Sequence, residues 1–255
     1  MTGRGEHYLG LTITWDYPHQ QVHLSMPGYC HKARQHFQHK HPHKRQDQPY
    51  PHMARTCGAK HQYVDDPDQS PPLNKQDKAF IQEVIGVFLY YTRAVDCTVL
   101  TALSFPATQQ ANPTQNTLQH ITRFLDYAMT HQDAIITYQA SNMILAAHSN
   151  ASYLSETKAC SPTGGHLILS ENDVVPWNNG AILTIAQINK SVMSSAAKVE
   201  LGALYINAGK AIPLRHLLEE LGHPQPPTPI QIDNTQQHSA SLPTSSNPNA
   251  PKPWT

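Results

Sequence analysis

Hydrophobic and polar positions divide the first half of the chain into short strands and amphipathic helices. The β-rich run at residues 8–15 and the alternating run at 21–24 predict two strands that could pair as a hairpin. A short helix is predicted over residues 29–37. Apolar side chains then recur at helical spacing in 79–95 and in 114–130, which predicts two longer helices, each with one buried face.

The pattern changes after residue 140. Apolar runs at 143–147, 166–169 and 181–188 predict three strands in a meander. The turn signals that separate them are Gly164-Gly165 and Asn178-Asn179-Gly180.

A long helix and a last strand follow this meander. Helical spacing predicts a helix over 194–221, capped by Ser194 or Ser195, kinked or split at Pro213 and ended by Gly222. Residues 229–232 predict a fourth strand. Because a strand that follows a helix joins its sheet through a crossover, the order βββαβ predicts a parallel fourth strand and a mixed sheet.

Composition adds a local asymmetry to this picture. The 255 residues contain 18 Lys and Arg, 18 Asp and Glu and 17 His, so the formal charge is zero. Residues 1–62, however, hold eight Lys and Arg against three acidic residues, and ten of the histidines. Zero net charge argues against a generally basic nucleic-acid binder, but a basic, histidine-rich segment is still compatible with local phosphate contacts.

Other compositional features suggest where the protein resides. No apolar run is long enough to cross a bilayer, and the polar N-terminus has no signal-peptide core. The four cysteines, at 30, 57, 97 and 160, are too widely spaced to suggest a disulfide framework. We therefore expect an intracellular protein, in the cytoplasm or nucleus, that is not secreted and does not enter a membrane.

Carboxylates at three places in a βββαβ unit would suit phosphodiester hydrolysis. Two divalent ions about 3.5–4 Å apart can clamp the attacking and leaving oxygens, and Mg²⁺ prefers oxygen ligands. A ribonuclease H site draws these carboxylates from the end of the first strand, the helix and the end of the fourth strand. Here those places hold Asn150, Glu200 and Asp233.

Six segments, in order, resemble the end of a copia-type LTR-retrotransposon polyprotein, which contains the last part of a reverse transcriptase and its ribonuclease H domain. They are YLGLTITW (8–15), VIGVFLYYTRAVD (84–96), ITRFLDYAMTH (121–131), HSNASYLSE (148–156), SSAAKVELGAL (194–204) and IQIDNTQ (230–236). The resemblance covers roughly residues 8–240. Each motif alone is weak, and their order and spacing make the resemblance specific.

The resemblance implies an α+β or α/β fold, a reverse-transcriptase thumb and connection remnant followed by a ribonuclease H-like βββαβ domain. On this resemblance, residues 1–62 hold the C-terminal strand of the reverse transcriptase and the basic, histidine-rich segment, and residues 79–140 form a helical connection. Residues 141–240 form an incomplete ribonuclease H-like domain. Residues 63–78 are interpreted as a linker and residues 241–255 as a disordered tail. It also implies Mg²⁺ as the ancestral cofactor, bound by Glu200 and Asp233, and an RNA–DNA hybrid or template–primer duplex as the ancestral partner.

Departures from the family pattern argue against activity. The first family aspartate is Asn150 here, and no Asp or Glu remains after Asp233, so at most two of the four family carboxylates survive. The polymerase palm is absent from the chain. Tyr63-Val64-Asp65-Asp66 spells a polymerase metal motif, but it lies downstream of the strand that it should precede, in a Pro-rich stretch, and is interpreted as a coincidence.

The N-terminal segment supports a second hypothesis. Its cations could contact a phosphate backbone, and a solvated loop explains them equally well; they are Lys32, Arg34, Lys40, Lys44 and Arg45. The histidines at 31, 36, 39, 41 and 43, with Cys30 and Cys57, fit no regular zinc spacing and favour adventitious Ni²⁺ or Zn²⁺ binding.

Two functions of different classes therefore remain. The first is a retrotransposon polyprotein fragment with a ribonuclease H-like domain that is catalytically inactive. The alternative is a non-enzymatic nucleic-acid- or metal-binding protein that uses the basic, histidine-rich segment.

Overall fold

The computed structural model describes residues 6–51, 68–155, 160–172, 176–191, 193–232 and 240–241. The chain divides into two compact units, Met1–Thr137 and Tyr138–Thr255. The fold is mixed α+β with two sheets. In one sheet the strand pairs with an assigned register are antiparallel, and the other sheet contains both parallel and antiparallel pairs. The Tyr63–Asp66 motif and the tail beyond Ser241 lie outside the described residues.

The first unit begins with a meander of three short strands. Strands β1 (Glu6–Tyr8), β2 (Leu11–Asp16) and β3 (Gln21–Ser25) are antiparallel neighbours, and β4 (Ile135–Gln139), which crosses the boundary between the units, follows β3 in the sheet. The predicted single strand over 8–15 is therefore wrong. Leu9 and Gly10 have positive φ values of 50° and 83°, a turn that folds the run back on itself as a hairpin.

Four helices form the rest of the first unit. They are α1 (Tyr29–His36), α2 (Lys75–Ala94), α3 (Leu100–Gln109), which follows a 3₁₀ turn at Cys97–Val99, and α4 (Gln115–Thr130). Helices α1, α2 and α4 confirm the spacing argument. Helix α2 starts four residues earlier than predicted, because the Asn74 side chain caps it by accepting from the Asp77 N–H at 2.8 Å.

The core of the first unit lies between these helices. Phe88 of α2 and Phe124 of α4 meet edge to face, with ring centroids 5.1 Å apart. Ile81, Leu103 and Ile121 are fully buried around them. Residues 79–140 are thus mainly helical, except for β4 at their end, whose short run of five residues the spacing argument missed.

The second unit has the predicted βββαβ order. Strands β5 (Ile144–Ala151), β6 (Ser161–Ser170) and β7 (Ala181–Asn189) form an antiparallel meander. Helix α5 (Ala196–Glu220) leads to β8 (Pro229–Ile232), which pairs with β5 in parallel, and the two-residue β9 (Ala240–Ser241) pairs with β8 in antiparallel. The order in the sheet is β7-β6-β5-β8-β9.

One local prediction in this unit is wrong, the turn at Gly164-Gly165, and of the two alternatives at Pro213 the split does not occur. Helix α5 continues through Pro213. Burial of Ala211 and Leu218 on either side of the proline offsets the lost hydrogen bond and the ring clash, which cost about 3 kcal/mol. Gly164-Gly165, interpreted as a turn, lies inside β6.

The ends of α5 agree with the sequence. Ser195 caps the start by accepting from the Lys198 N–H at 3.3 Å. At the other end Gly222 has a φ of 89°, and the His223 N–H donates to the Leu218 carbonyl at 2.9 Å. This left-handed residue and its hydrogen bonds form a Schellman motif, in which glycine carries no steric penalty.

A buried polar clasp, formed by Arg215 and Gln225, fastens the end of α5 to the start of β5. Arg215, 3% exposed, donates to the carbonyls of Gln225 and Pro226. The Gln225 side chain accepts from the Leu145 N–H at 2.9 Å and donates to the Met143 carbonyl at 2.8 Å. The clasp therefore provides hydrogen-bond partners for the Leu145 N–H of β5 and for the carbonyl of Met143, which directly precedes the strand.

We expect Gln225→Ala to lower the free energy of unfolding by about 2–4 kcal/mol, because it leaves buried backbone groups at Met143 and Leu145 without partners. Chemical denaturation followed by circular dichroism measures this. The control is Gln187→Ala on the exposed side of β7, which should change stability by less than about 0.5 kcal/mol. Equal effects of the two substitutions would contradict the role of the clasp.

Candidate functional site

The end of strand β5 is where the sequence places the first candidate residue. Asn150 is exposed and lies opposite Gly164 of β6. On the other side of β5, Ser149 pairs with Ile232 of β8. Because β5 and β8 are parallel, their carboxyl ends reach the same edge of the sheet.

Glu200 reaches this same end of β5 from helix α5. It lies in the second turn of the helix, and only 9% of its surface is exposed. Its Oε1 accepts from the backbone N–H of Ala151 at 3.3 Å. The structure thus places the Glu200 carboxylate at the backbone of Ala151, the residue that follows Asn150.

Asp233, the remaining candidate ligand, lies outside the described residues. The last described residue of β8 is Ile232, which is in register with Ser149, one position before Asn150. The described part of the site therefore consists of one carboxylate and one amide.

Such a pair does not fit two divalent metal ions. An amide oxygen can coordinate Mg²⁺ but carries no charge to offset that of the ion. Among the described residues, no group of three or more His, Cys, Asp and Glu side chains could hold a metal ion. We therefore derive no catalytic step through metal from these residues.

A buried asparagine, Asn207, fixes the distance between α5 and the sheet beside the site. It is fully buried, and its Nδ2 lies 2.9 Å from Ser149 Oγ and 3.0 Å from the Gly164 carbonyl. A Cβ atom at Gly165 would lie 1.7 Å from Asn207 Oδ1. Gly165 is therefore required for a close approach of helix to strand, and sequence reasoning missed both residues because a Gly-Gly pair is the usual sign of a turn.

Two histidines lie on the strands that carry the site. His148 of β5 and His166 of β6 are directly opposite each other. Burial, and secondarily the charge of His148, lower the pKa of His166 below its ordinary value. Burial therefore favours the neutral form of the His166 imidazole.

The basic N-terminal cations lie on α1 and on the segment that follows it. Lys32, Lys40, Lys44 and Arg45 are exposed, and Arg34 is half-buried. Arg45 is paired with Asp47 at 2.6 Å, which reduces its availability to a phosphate. Among the candidate cations, Lys32, Lys40 and Lys44 are therefore the ones that are exposed and have no ion pair with a described residue.

Several histidines of this segment bind carboxylates of the helices. His39 Nε2 lies 2.7 Å from Asp126 of α4, and His36 Nε2 lies 2.7 Å from Glu83 of α2. The Gln46 N–H also donates to Thr130 Oγ1 at 3.1 Å. The segment is therefore attached to α4 and α2 rather than being a free solvated loop.

Cys30 does not have the character of a zinc ligand. It is fully buried in the helical core, and burial raises the pKa of its thiol to about 11. Zinc binds the thiolate, which this environment disfavours. The other cysteine of the candidate zinc set, Cys57, lies outside the described residues.

We expect Gly165→Ala to destabilise the protein by roughly 1–3 kcal/mol, because the new methyl group collides with the Asn207 carboxamide. The penalty should be smaller when Asn207→Ala is already present. Gly86→Ala in α2, where a Cβ meets nothing within 4 Å, is the control and should stabilise by up to about 1 kcal/mol. Thermal and chemical unfolding measure all four variants. Additive effects at positions 165 and 207 would contradict the proposed contact.

Comparisons with known proteins give no assignment. No family model, no curated protein and no solved structure matches the chain. No helix in the described part is long and apolar enough to span a membrane.

Proposed function

We propose that this protein is the C-terminal part of a copia-type LTR-retrotransposon polyprotein. It would comprise the end of a reverse transcriptase and a ribonuclease H-like domain. The ancestral activity is cleavage of the RNA strand of an RNA–DNA hybrid, and in this chain that activity is lost. The proposal rests on the ordered motifs and on the arrangement of the second unit.

The topology of the second unit supports this proposal. A ribonuclease H site needs the ends of the first and fourth strands at one edge of the sheet, with the helix beside them. Strands β5 and β8 are adjacent and parallel, and α5 packs on β5. Among the described residues, the antiparallel β9 adds two residues on the far side of β8.

One observation carries the proposal, the hydrogen bond between Glu200 Oε1 and the Ala151 N–H. An ordinary helix-surface glutamate would point to solvent, but Glu200 is 9% exposed and is directed at the end of β5. Burying a carboxylate costs free energy. A carboxylate that is nevertheless buried at the end of a strand therefore favours a role at that position over an ordinary place on the helix surface.

Loss of catalysis follows from charge. Two divalent ions bring four positive charges to a site for which the sequence offers at most two of the four family carboxylates, Glu200 and Asp233. Asn150 adds an acceptor oxygen and no charge. The shortage predicts weak Mg²⁺ binding, and thus no two-metal catalysis.

The second candidate function is duplex binding by the N-terminal unit. The exposure of Lys32, Lys40 and Lys44 favours it. Attachment of the segment to α4 through His39 and Gln46 holds these cations on a folded scaffold, which reduces the entropy lost on binding. Contacts of this kind are independent of sequence.

We expect Asn150→Asp to create an Mg²⁺ response that the parent lacks. The new carboxylate would stand one residue from Ala151, whose backbone N–H contacts Glu200, and would add the charge that the amide lacks, so Mg²⁺ should raise the melting temperature of this variant. Asn178→Asp, which adds the same charge at an exposed loop position, is the control and should respond as the parent does.

Differential scanning fluorimetry with and without Mg²⁺ measures this shift. The proposal predicts that Glu200→Gln abolishes the response of the Asn150→Asp variant. Equal Mg²⁺ responses at positions 150 and 178 would overturn the assignment of the site.

For the second candidate, we expect duplex affinity to fall as salt rises. Replacing both Lys40 and Lys44 by Ala should reduce the slope of log K against log salt by about 0.9 for each phosphate contact that is lost. Fluorescence anisotropy with a labelled RNA–DNA duplex measures the slope. Lys210→Ala on the exposed face of α5 should leave it unchanged, and a slope that is the same in all variants would exclude the N-terminal segment as the contact surface.

A further inference from the structure

A cavity in the first unit lies between the end of α2 and the end of α4. Its volume is about 490 Å³, within the range of small-molecule sites. It is lined by residues 95–98, which follow α2, and by Tyr127 and residues 130–136 at the end of α4. This cavity has no part in the proposed function.

The cavity has a buried carboxylate in its wall. Asp96 is 9% exposed and accepts a hydrogen bond from the Thr98 hydroxyl. Asp133, which is exposed, is the second carboxylate of the lining. Among the described residues that line the cavity there is no lysine or arginine.

His131 is the basic side chain in the lining, but it is committed elsewhere. Its Nε2 lies 3.0 Å from Asp47 Oδ1, and its ring stacks on Tyr127 at a centroid distance of 4.5 Å. Asp47 is in turn paired with Arg45. Asp96 is thus buried beside the cavity, and no lysine or arginine of the described lining is available to pair with it.

The electrostatics of the wall agree with this geometry. Burial raises the pKa of the Asp96 carboxyl above its ordinary value, although the Thr98 hydrogen bonds and the charge of His131 act in the opposite direction. Burial and then the charges of Asp96 and Asp47 raise the pKa of the Tyr127 phenol. Burial raises the pKa values of Cys30 and Tyr91, and the charge of Asp96 raises them further. Among the described residues, two carboxylates, Asp96 and Asp133, and no lysine or arginine therefore line this cavity.

We propose that this cavity binds a small organic cation, a protonated aliphatic amine, with its ammonium group at Asp96. The ammonium would supply the positive partner that this buried carboxylate lacks in the lining. The Tyr127 ring, which lines the same cavity, can contribute a cation–π contact. A metal ion would fill only a small part of about 490 Å³, so the volume favours an organic ligand. Asp133 at the exposed side can accept a second ammonium, which favours a diamine over a monoamine.

The test is a titration of the full chain with 1,5-diaminopentane, with 1,5-pentanediol as the neutral ligand of the same length. Isothermal titration calorimetry should show saturable binding of the diamine in the millimolar range or tighter, and none of the diol. Asp96→Asn should weaken the diamine by about tenfold or more. Glu220→Gln, an exposed position on α5 with the same charge change, should not alter it.

A second variant keeps the test decisive if Asp96→Asn does not fold. Asp133→Asn is an exposed substitution and should weaken the diamine by roughly twofold to fivefold, as for an exposed ion pair. Equal binding of diol and diamine would overturn the proposal. So would the absence of saturable diamine binding, or affinities in both aspartate variants that match that of Glu220→Gln.

Discussion

The close approach of helix α5 to strand β5 is the constraint on which the second unit depends. Two buried polar contacts set it, the Arg215 and Gln225 clasp at one end and the Asn207 contact with Ser149 and Gly164 nearer the other. Gly165 makes the second contact possible, because any Cβ there would meet the Asn207 carboxamide. The position of Glu200 at the end of β5 follows from this packing, since it lies two turns before Asn207 on the same helix.

This packing separates the geometry of the site from its chemistry. The scaffold brings a buried carboxylate to the joint end of two parallel strands, which is the arrangement that two-metal hydrolysis needs. In the proposed ribonuclease H-like site, Asn150 offers an uncharged amide where two metal ions would need a carboxylate. A domain can keep such a scaffold after losing activity, because the clasp and the Asn207 contact stabilise the fold and the missing carboxylate would not. The proposed inactivity is therefore a statement about charge rather than about folding.

Sequence reasoning predicted the order of elements well wherever periodicity was long and regular. Helices α2, α4 and α5, the meander β5–β7 and the parallel pairing of β8 follow from spacing and the crossover argument. It failed where a short local signal had two physical meanings. Leu9-Gly10 forms a turn inside an apolar run. Gly164-Gly165 lies within a strand, where the missing side chain of Gly165 leaves room for the Asn207 side chain. For the site, Glu200 was predicted from its motif, but the need for Asn207 and Gly165 depends on a contact over 42 residues that no local pattern encodes.

The measurement that tests the central claim most directly is cleavage of an RNA–DNA hybrid by the purified chain in Mg²⁺, beside Glu200→Gln. We expect the same background rate for both proteins, since at most two of the four family carboxylates, Glu200 and Asp233, are present in the sequence. Mg²⁺-dependent cleavage by the parent that disappears in Glu200→Gln would contradict it, and would show that the site still assembles enough charge for catalysis.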